Sequence, residues 1–207
     1  MKAYKLTDKN GITKDNTQWG PYITHTASGK NRNLCSDGWI HFYKDPVLAV
    51  LLNPIHANFS NPKLWECETS GEELHDPLKS GCKTLTTIKE IPLPNVTDIQ
   101  MVAFAILCAK EVYKKSDWNT WADKWLSGED RTHAAAYTAY AATSAASAVS
   151  AAIHAAASAA ASAAYAATSY TYAADYAASA AYTATYASSA VSTINFIELA
   201  HKALTYK

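Results

Sequence analysis

The chain carries no excess of either charge. It has 18 Lys and Arg against 18 Asp and Glu, for a formal net charge of zero. Phosphate binding draws on a basic surplus, so this balance argues against a dedicated nucleic-acid binder. Long apolar runs are also missing: no stretch of 18 residues is free of polar interruption, and no ordinary membrane-spanning helix is encoded. Met1-Lys2-Ala3-Tyr4-Lys5 leads into polar residues without an apolar signal core. That predicts a cytoplasmic protein, not one exported by a signal peptide. Four Cys in 207 residues fit a reducing compartment. The glycine-rich phosphate loops, the H-E-x-x-H zinc helix and the G-x-S-x-G elbow are all absent. No catalytic residue, cofactor or metal is therefore assigned, and the chain is read as non-enzymatic.

The sharpest absence is local. All 7 Gly and all 7 Pro lie at or before Gly128, and the remaining residues hold neither. Between positions 134 and 194 there are 61 residues, of which 30 are Ala, 17 Ser or Thr, 8 Tyr and only Asp175 is formally charged. Disordered low-complexity tracts are rich in Pro, Gly or charge, whereas Ala is the best helix former. The tract is therefore predicted to be helix. A lone helix of that length would leave Ala and Tyr on a large apolar surface, so the tract must pack on itself or on another chain. Thr168-Ser169-Tyr170-Thr171-Tyr172 is the least Ala-rich stretch and the predicted place for a bend, with an uninterrupted helix as the rival. Residues 195–204 restore an ordinary amphipathic pattern and are predicted to dock as a cap.

The first 96 residues read differently, as a small mixed domain. Residues 1–7 are a predicted strand followed by a turn at Asp8–Gly11. Gly38-Trp39-Ile40-His41-Phe42-Tyr43 is aromatic and β-prone. Asp45-Pro46 starts a short helix over 47–52, with Asp45 as N-cap and Pro in the first turn. Leu64–Thr69 alternates apolar and polar residues and ends at Ser70-Gly71, and Thr84–Ile91 is a further strand closed by Pro92 and Pro94. Two amphipathic helices follow, over 97–115 and 117–127, with Ser116 as N-cap of the second and Gly128 beyond its end. The fold class is α+β: a small mixed domain over 1–96, a helical connector over 97–128 and an Ala-rich helical segment over 129–207, forming a hairpin or bundle. Trp118, Trp121 and Trp125 share one face of the second helix. That stripe is a packing face, or else an exposed anchor for a partner.

Leu34-Cys35-Ser36-Asp37-Gly38-Trp39-Ile40-His41-Phe42-Tyr43-Lys44-Asp45-Pro46-Val47-Leu48 resembles the core of an uncharacterised N-terminal domain family of phage and prophage proteins. Members open with a strand similar to Met1–Lys5 and carry a Cys-x-x-Gly-aromatic-His-x-Cys-x-x-Pro-Leu pattern. Cys35, Gly38, His41 and Asp45-Pro46 match it. Tyr43 stands where many members have a second Cys, and Ile40 is an extra residue between the aromatic and the His. The family often ends in a low-complexity repetitive tail. The resemblance covers about residues 1–92; it implies a phage or prophage source, and with it a place in the host-cell cytoplasm or on the virion, and no activity.

Two constellations in the first domain are of interest for chemistry. Cys35, His41, Cys67, His75 and Cys82 are a conceivable zinc set, but their spacings lack the tight Cys pair of structural zinc sites. His41 and Tyr43 in an aromatic strand, with Glu66, Glu68, Glu72 and Glu73 following, supply the residue types of an ADP-ribosyltransferase-like or RNA-phosphate-transfer-like site. The plainer reading has His41 hydrogen-bonded near the core, with Phe42 and Tyr43 alternating across a sheet. His41, Tyr43, Trp118, Trp121 and Trp125 are the candidate interaction residues.

Three functions fit these residues. The first is a non-enzymatic phage-type accessory or structural protein, with a small recognition domain and an Ala-rich tail that self-associates or binds another protein. The second is ice binding, since Ser147, Ser158 and Ser169 recur at 11-residue spacing in an Ala-rich helix. The third is a nucleotide-processing enzyme with an ADP-ribosyltransferase-like head.

Overall fold

The computed structural model describes residues 2–144, 151–188 and 194–207. Its fold class is α+β, with an antiparallel sheet in the first part and helices dominating the second. The chain divides into two units, Met1–Asn95 and Val96–Lys207.

In the first unit, strands β1 (Lys2–Thr7), β2 (Ile12–Thr13), β3 (Thr17–Gln18), β4 (Thr24–Thr26) and β5 (Ile40–Phe42) precede helix α1 (Pro46–His56). A long hairpin of β6 (Lys63–His75) and β7 (Ser80–Ile91) follows. The main sheet has the order β1, β6, β7, β4, and β5 pairs with the first residues of β7 beside β4. Just past β5, Tyr43 exchanges both backbone hydrogen bonds with Tyr4 of β1, each at 2.8 Å. This bridge joins the far edge of the sheet to its first strand, so β1, β6, β7 and β5 curl into a closed ring. Ala3, Trp19, Phe42, Trp65, Cys67, Cys82 and Leu85 form a buried cluster. In β1, strand alternation places Lys5 and Thr7 on the same face as Ala3.

Local chemistry explains most of these elements. Asp45 caps α1, its carboxylate accepting from the backbone N–H of Val47 at 2.9 Å and Leu48 at 3.0 Å, with Pro46 in the first turn. The helix runs to His56 through Pro54, beyond the expected end at residue 52. Strand β6 also outruns its expected end. Gly71, at φ +81°, sits in a register shift between Ser70 and Glu73, so the glycine absorbs a bulge and the strand continues to His75.

In the second unit, α2 (Asp98–Val112), α3 (Ser116–Ser127), α4 (His133–Ser144), α5 (Ala151–Thr168), α6 (Ala173–Ser188) and α7 (Phe196–Ala203) are joined by short turns or by residues outside those described. Thr97 and Gln100 form a reciprocal capping box at the start of α2. The residues from Val102 to Ala109 are all buried, because α2 is packed against α3, α5, α6 and α7. Helices 97–127 therefore belong to the same unit as the Ala-rich segment. Gly128, at φ +82°, ends α3 in the left-handed conformation. The Ala-rich tract turns where its Ala content drops. Ser169 is extended at φ −151° and ψ 112°, and a 3-10 turn over Tyr170–Tyr172 leads into α6. The tract is a folded-back set of helices, with α4 on α5, α5 on α6, and both α5 and α6 on α2.

The Ala faces are the packing surfaces. Ala159, Ala160, Ala163, Ala164 and Ala166 are each fully buried. Small side chains let helix backbones approach closely, which leaves no room for added methylenes. Ala160→Leu and Ala164→Leu are each expected to destabilise the chain by about 1–3 kcal/mol, although Leu is a good helix former. Thermal or urea unfolding measures this, and unchanged transitions in both variants would mean that α5 is not packed as described.

Candidate functional site

Chemistry-bearing side chains gather at one end of the first unit, around the turn that joins β6 to β7. The Asp76 carboxylate accepts from the backbone N–H of Leu78 and of Lys79, both at 2.7 Å, which fixes the turn and sets Lys79 beside Ser80. Strand β5 brings His41, Phe42 and Tyr43 to the same end, Phe42 opposite Ser80 and His41 opposite Gly81. Phe42 is completely buried. His56 arrives from the last turn of α1.

Three groups of contacts organise this end. His41 donates through Nε2 to the Leu34 carbonyl oxygen. Burial holds its imidazole below the usual range, with Lys79 and Lys5 acting in the same direction against that hydrogen bond. The Tyr43 hydroxyl lies 3.0 Å from His56 Nδ1, and the two rings stack at 5.9 Å. Burial, with Lys79 adding to it, pushes His56 down to about 4, so at neutral pH its ring is uncharged, and the tautomer sets which of the two groups donates. Burial drives the Tyr43 phenol well above its usual range, which keeps it protonated. Nearby, Lys79 Nζ donates to the exposed Cys35 Sγ at 3.1 Å.

The third group spans the hairpin end. Glu73 Oε2 is 3.4 Å from His75 Nε2, and His75 Nδ1 is 2.9 Å from Ser80 Oγ. Thr69 steadies the carboxylate by donating to Glu73 Oε1 at 2.5 Å. A serine, a histidine and a carboxylate thus meet in the residue types of nucleophilic catalysis. Ser80, however, is only 1% exposed. Its hydroxyl is buried against the His75 ring and not presented to solvent.

Deeper in the ring lies Lys5, 8% exposed. Its ammonium donates to the His41 carbonyl oxygen at 3.0 Å and stands 4.8 Å from the Trp19 ring centroid. Burial pushes it down to about 8. The same burial pushes the Cys67 thiol up to about 12 and Cys82 up to about 11. Both thiols are inert packing groups at neutral pH.

The structure sorts the sequence candidates. His41 and Tyr43 do meet at one end of the unit, His41 hydrogen-bonded and partly buried as the plainer reading had it. Of the four glutamates, Glu73 comes to this end, while Glu66 pairs with Lys2 at 3.3 Å. The conceivable zinc set does not assemble. Cys67 and Cys82 are in the buried cluster, Cys35 is exposed, and among the described residues no three His, Cys, Asp or Glu side chains converge on a metal position. Trp118, Trp121 and Trp125 correct the partner-anchor alternative. They are 2%, 8% and 0% exposed, so the stripe is a packing face and offers no surface to a partner. The indole N–H groups of all three are buried without a hydrogen-bond partner.

Sequence reasoning passed over His56, Ser80 and Lys5, and took up His75 only as a member of the conceivable zinc set. The one signal for Lys5 is the alternation Ala3, Lys5, Thr7, which puts a charged residue on an inward strand face. His56 and Ser80 carry no such signal, because their roles come from a helix end and a hairpin register. Among the described residues no helix is long and apolar enough to cross a membrane. Comparison with known proteins finds no matching family model, no similar curated sequence and no similar solved structure.

Proposed function

We propose that the chain is a non-enzymatic accessory or structural protein of phage type. The first unit serves as the recognition module, and the second is a helical assembly element that associates with a further copy. One observation carries the assembly part. Seven large apolar side chains are exposed among the described residues, and five of them, Tyr137, Tyr170, Tyr172, Tyr182 and Tyr186, lie on the second unit. Tyrosine gives rigid, amphipathic contact area at low entropic cost and is enriched in interfaces. The Ala faces are already buried within the chain, so the Tyr-bearing outer surface is what remains for a partner. Asp175 is the only formal charge between positions 134 and 194, and a nearly uncharged face suits a copy of itself. The phage source rests on the motif resemblance of residues 1–92 alone.

The non-enzymatic reading is supported by the first unit, where Ser80 is closed in and Tyr43 and His56 are engaged with each other. The ice-binding alternative needs its serines along one helix. Ser158 lies in α5, Ser169 lies in the extended break, and Ser147 is outside the described residues.

Sedimentation over a range of concentrations tests the proposal. The wild-type chain is expected to show a mass above that of the monomer, and the double variant Tyr182→Ser/Tyr186→Ser is expected to shift it toward the monomer. A wild-type chain that stays monomeric at every concentration would remove the self-association reading.

A further inference from the structure

Tyrosine rings form a chain across three helices of the second unit. Tyr137 and Tyr140 of α4 have ring centroids 6.3 Å apart. Tyr140 meets Tyr165 of α5 edge-on at 5.5 Å, and Tyr165 meets Tyr176 of α6 at 4.4 Å with the planes tilted by 47°. Tyr137 is 59% exposed, whereas Tyr140, Tyr165 and Tyr176 are half-buried. Residues 129–207 contain no Cys, Met or Trp. The phenol is therefore the most readily oxidised side chain within residues 129–207, and the one thiol of the second unit, Cys108, is fully buried in α2 and kept protonated by that burial.

We propose that Tyr165 and Tyr176 are a site of oxidative cross-linking, joined by a dityrosine bond that staples α5 to α6, with Tyr137 and Tyr140 relaying oxidation inward from the surface. The oxidant is a peroxidase with hydrogen peroxide, which draws electrons from an accessible phenol. Neighbouring rings along the chain are close enough to pass the hole from Tyr137 to the inner pair. Each of the two inner phenols gives up one electron along the relay and one proton to solvent. The two phenoxyl radicals pair their electrons in a new carbon–carbon bond between positions ortho to the oxygens. The two ortho hydrogens then move to the oxygens, and both rings regain aromaticity. The chain loses two hydrogen atoms in all, and one hydrogen peroxide takes up two electrons and two protons and leaves as two waters.

Geometry selects this pair. Its centroids are the closest of the tyrosine pairs described, and its members lie on different helices held together by Ala packing, so one ring is presented to the other in advance. Tyr182 and Tyr186 are also near each other, at 5.2 Å, but they are one turn apart on α6 and nearly perpendicular at 75°. Coupling there would staple nothing. The proposal concerns a bond within one chain and does not depend on self-association.

The test treats the chain at high dilution with a peroxidase and hydrogen peroxide, then follows dityrosine fluorescence, intact mass and peptide mapping. The expected product runs as a monomer on a denaturing gel, is lighter by two hydrogens, and yields one linked peptide pair containing Tyr165 and Tyr176. Tyr165→Phe and Tyr176→Phe, each shown by circular dichroism to remain folded, should lose that linked pair. Tyr137→Phe should form it several-fold more slowly, and Tyr182→Phe should form it at the wild-type rate. A product linked through other tyrosines, or links found only between chains, would overturn the assignment. An unchanged rate in Tyr137→Phe would overturn the relay. Whether the chain self-associates is read separately by sedimentation of the untreated protein.

Discussion

Truncating Trp125 to alanine is expected to cost about 3–5 kcal/mol of stability, the range for removing a large buried aromatic. The residue is 0% exposed. Above its ring, at 4.7 Å from the centroid, lies the Arg131 guanidinium, which also donates to the Trp125 carbonyl at 3.0 Å and to the Lys207 carbonyl at 2.7 Å. Losing the indole leaves a cavity and takes away the ring on which that arginine rests, a contact of about 0.5–2 kcal/mol by itself. The indole N–H has no partner, so Trp125→Phe forfeits volume but no hydrogen bond and should cost clearly less. Urea unfolding of the two variants measures the difference. A loss below about 0.5 kcal/mol for Trp125→Ala, the size of an ordinary surface change, would mean that this face is not packed.

The second large effect is a pH dependence due to Lys5. Its folded-state value of about 8 lies below the ordinary lysine value of 10.5, a difference worth about 3 kcal/mol. Below pH 8 both folded and unfolded chains carry the charge, and the penalty of burying it is constant. Between pH 8 and 10.5 the folded chain has released a proton that the unfolded chain still binds, so this group's contribution to stability rises with pH. Cys67 and Cys82 act oppositely at alkaline pH, because their folded thiols stay protonated longer than the unfolded ones. In Lys5→Met the two thiols also lose the ammonium that lowers them, so their alkaline loss is at least as large there and does not oppose the difference between the chains. Relative to Lys5→Met, which keeps the apolar stem, the wild type should gain up to about 3 kcal/mol from pH 8 to 10.5. Parallel stability curves for the two chains would show that Lys5 titrates as if exposed.

Where local chemistry decided the structure, the sequence was sufficient to read it. Asp45-Pro46 announced the start of α1, Gly128 the end of α3, and the fall in Ala content near Ser169 the turn between α5 and α6. Long-range pairing was not legible. Strands β2, β3 and β4 are two or three residues long and hold one apolar residue, Ile12, between them, without an apolar alternation to mark them. Strand β4 holds its place through Thr24–Thr86 and Thr26–Thr84 hydroxyl contacts at 2.8 and 3.0 Å, with partners about sixty residues away. Ser116 was expected as the N-cap of α3. Instead Lys115 is the capping residue, without a side-chain bond, and Ser116 lies inside the first turn with its hydroxyl on Asp117. The candidate site divided in the same way. His41 and Tyr43 lie in a conspicuous aromatic strand, whereas His56 reaches them from the end of α1, and His75 and Ser80 through the register of one hairpin. Gly71 looked like a strand end because glycine marks both turns and bulges, and only pairing with β7 distinguishes the two.

The central structural claim is that the Ala-rich helices are an integral part of a unit built around α2. Amide hydrogen exchange of the full chain tests it most directly. The account predicts that α5 and α6 are protected to a degree similar to Val102–Ala109 of α2, because they open only when the unit unfolds. Exchange in α5 and α6 at the rate of free peptide helices, with α2 still protected, would contradict it.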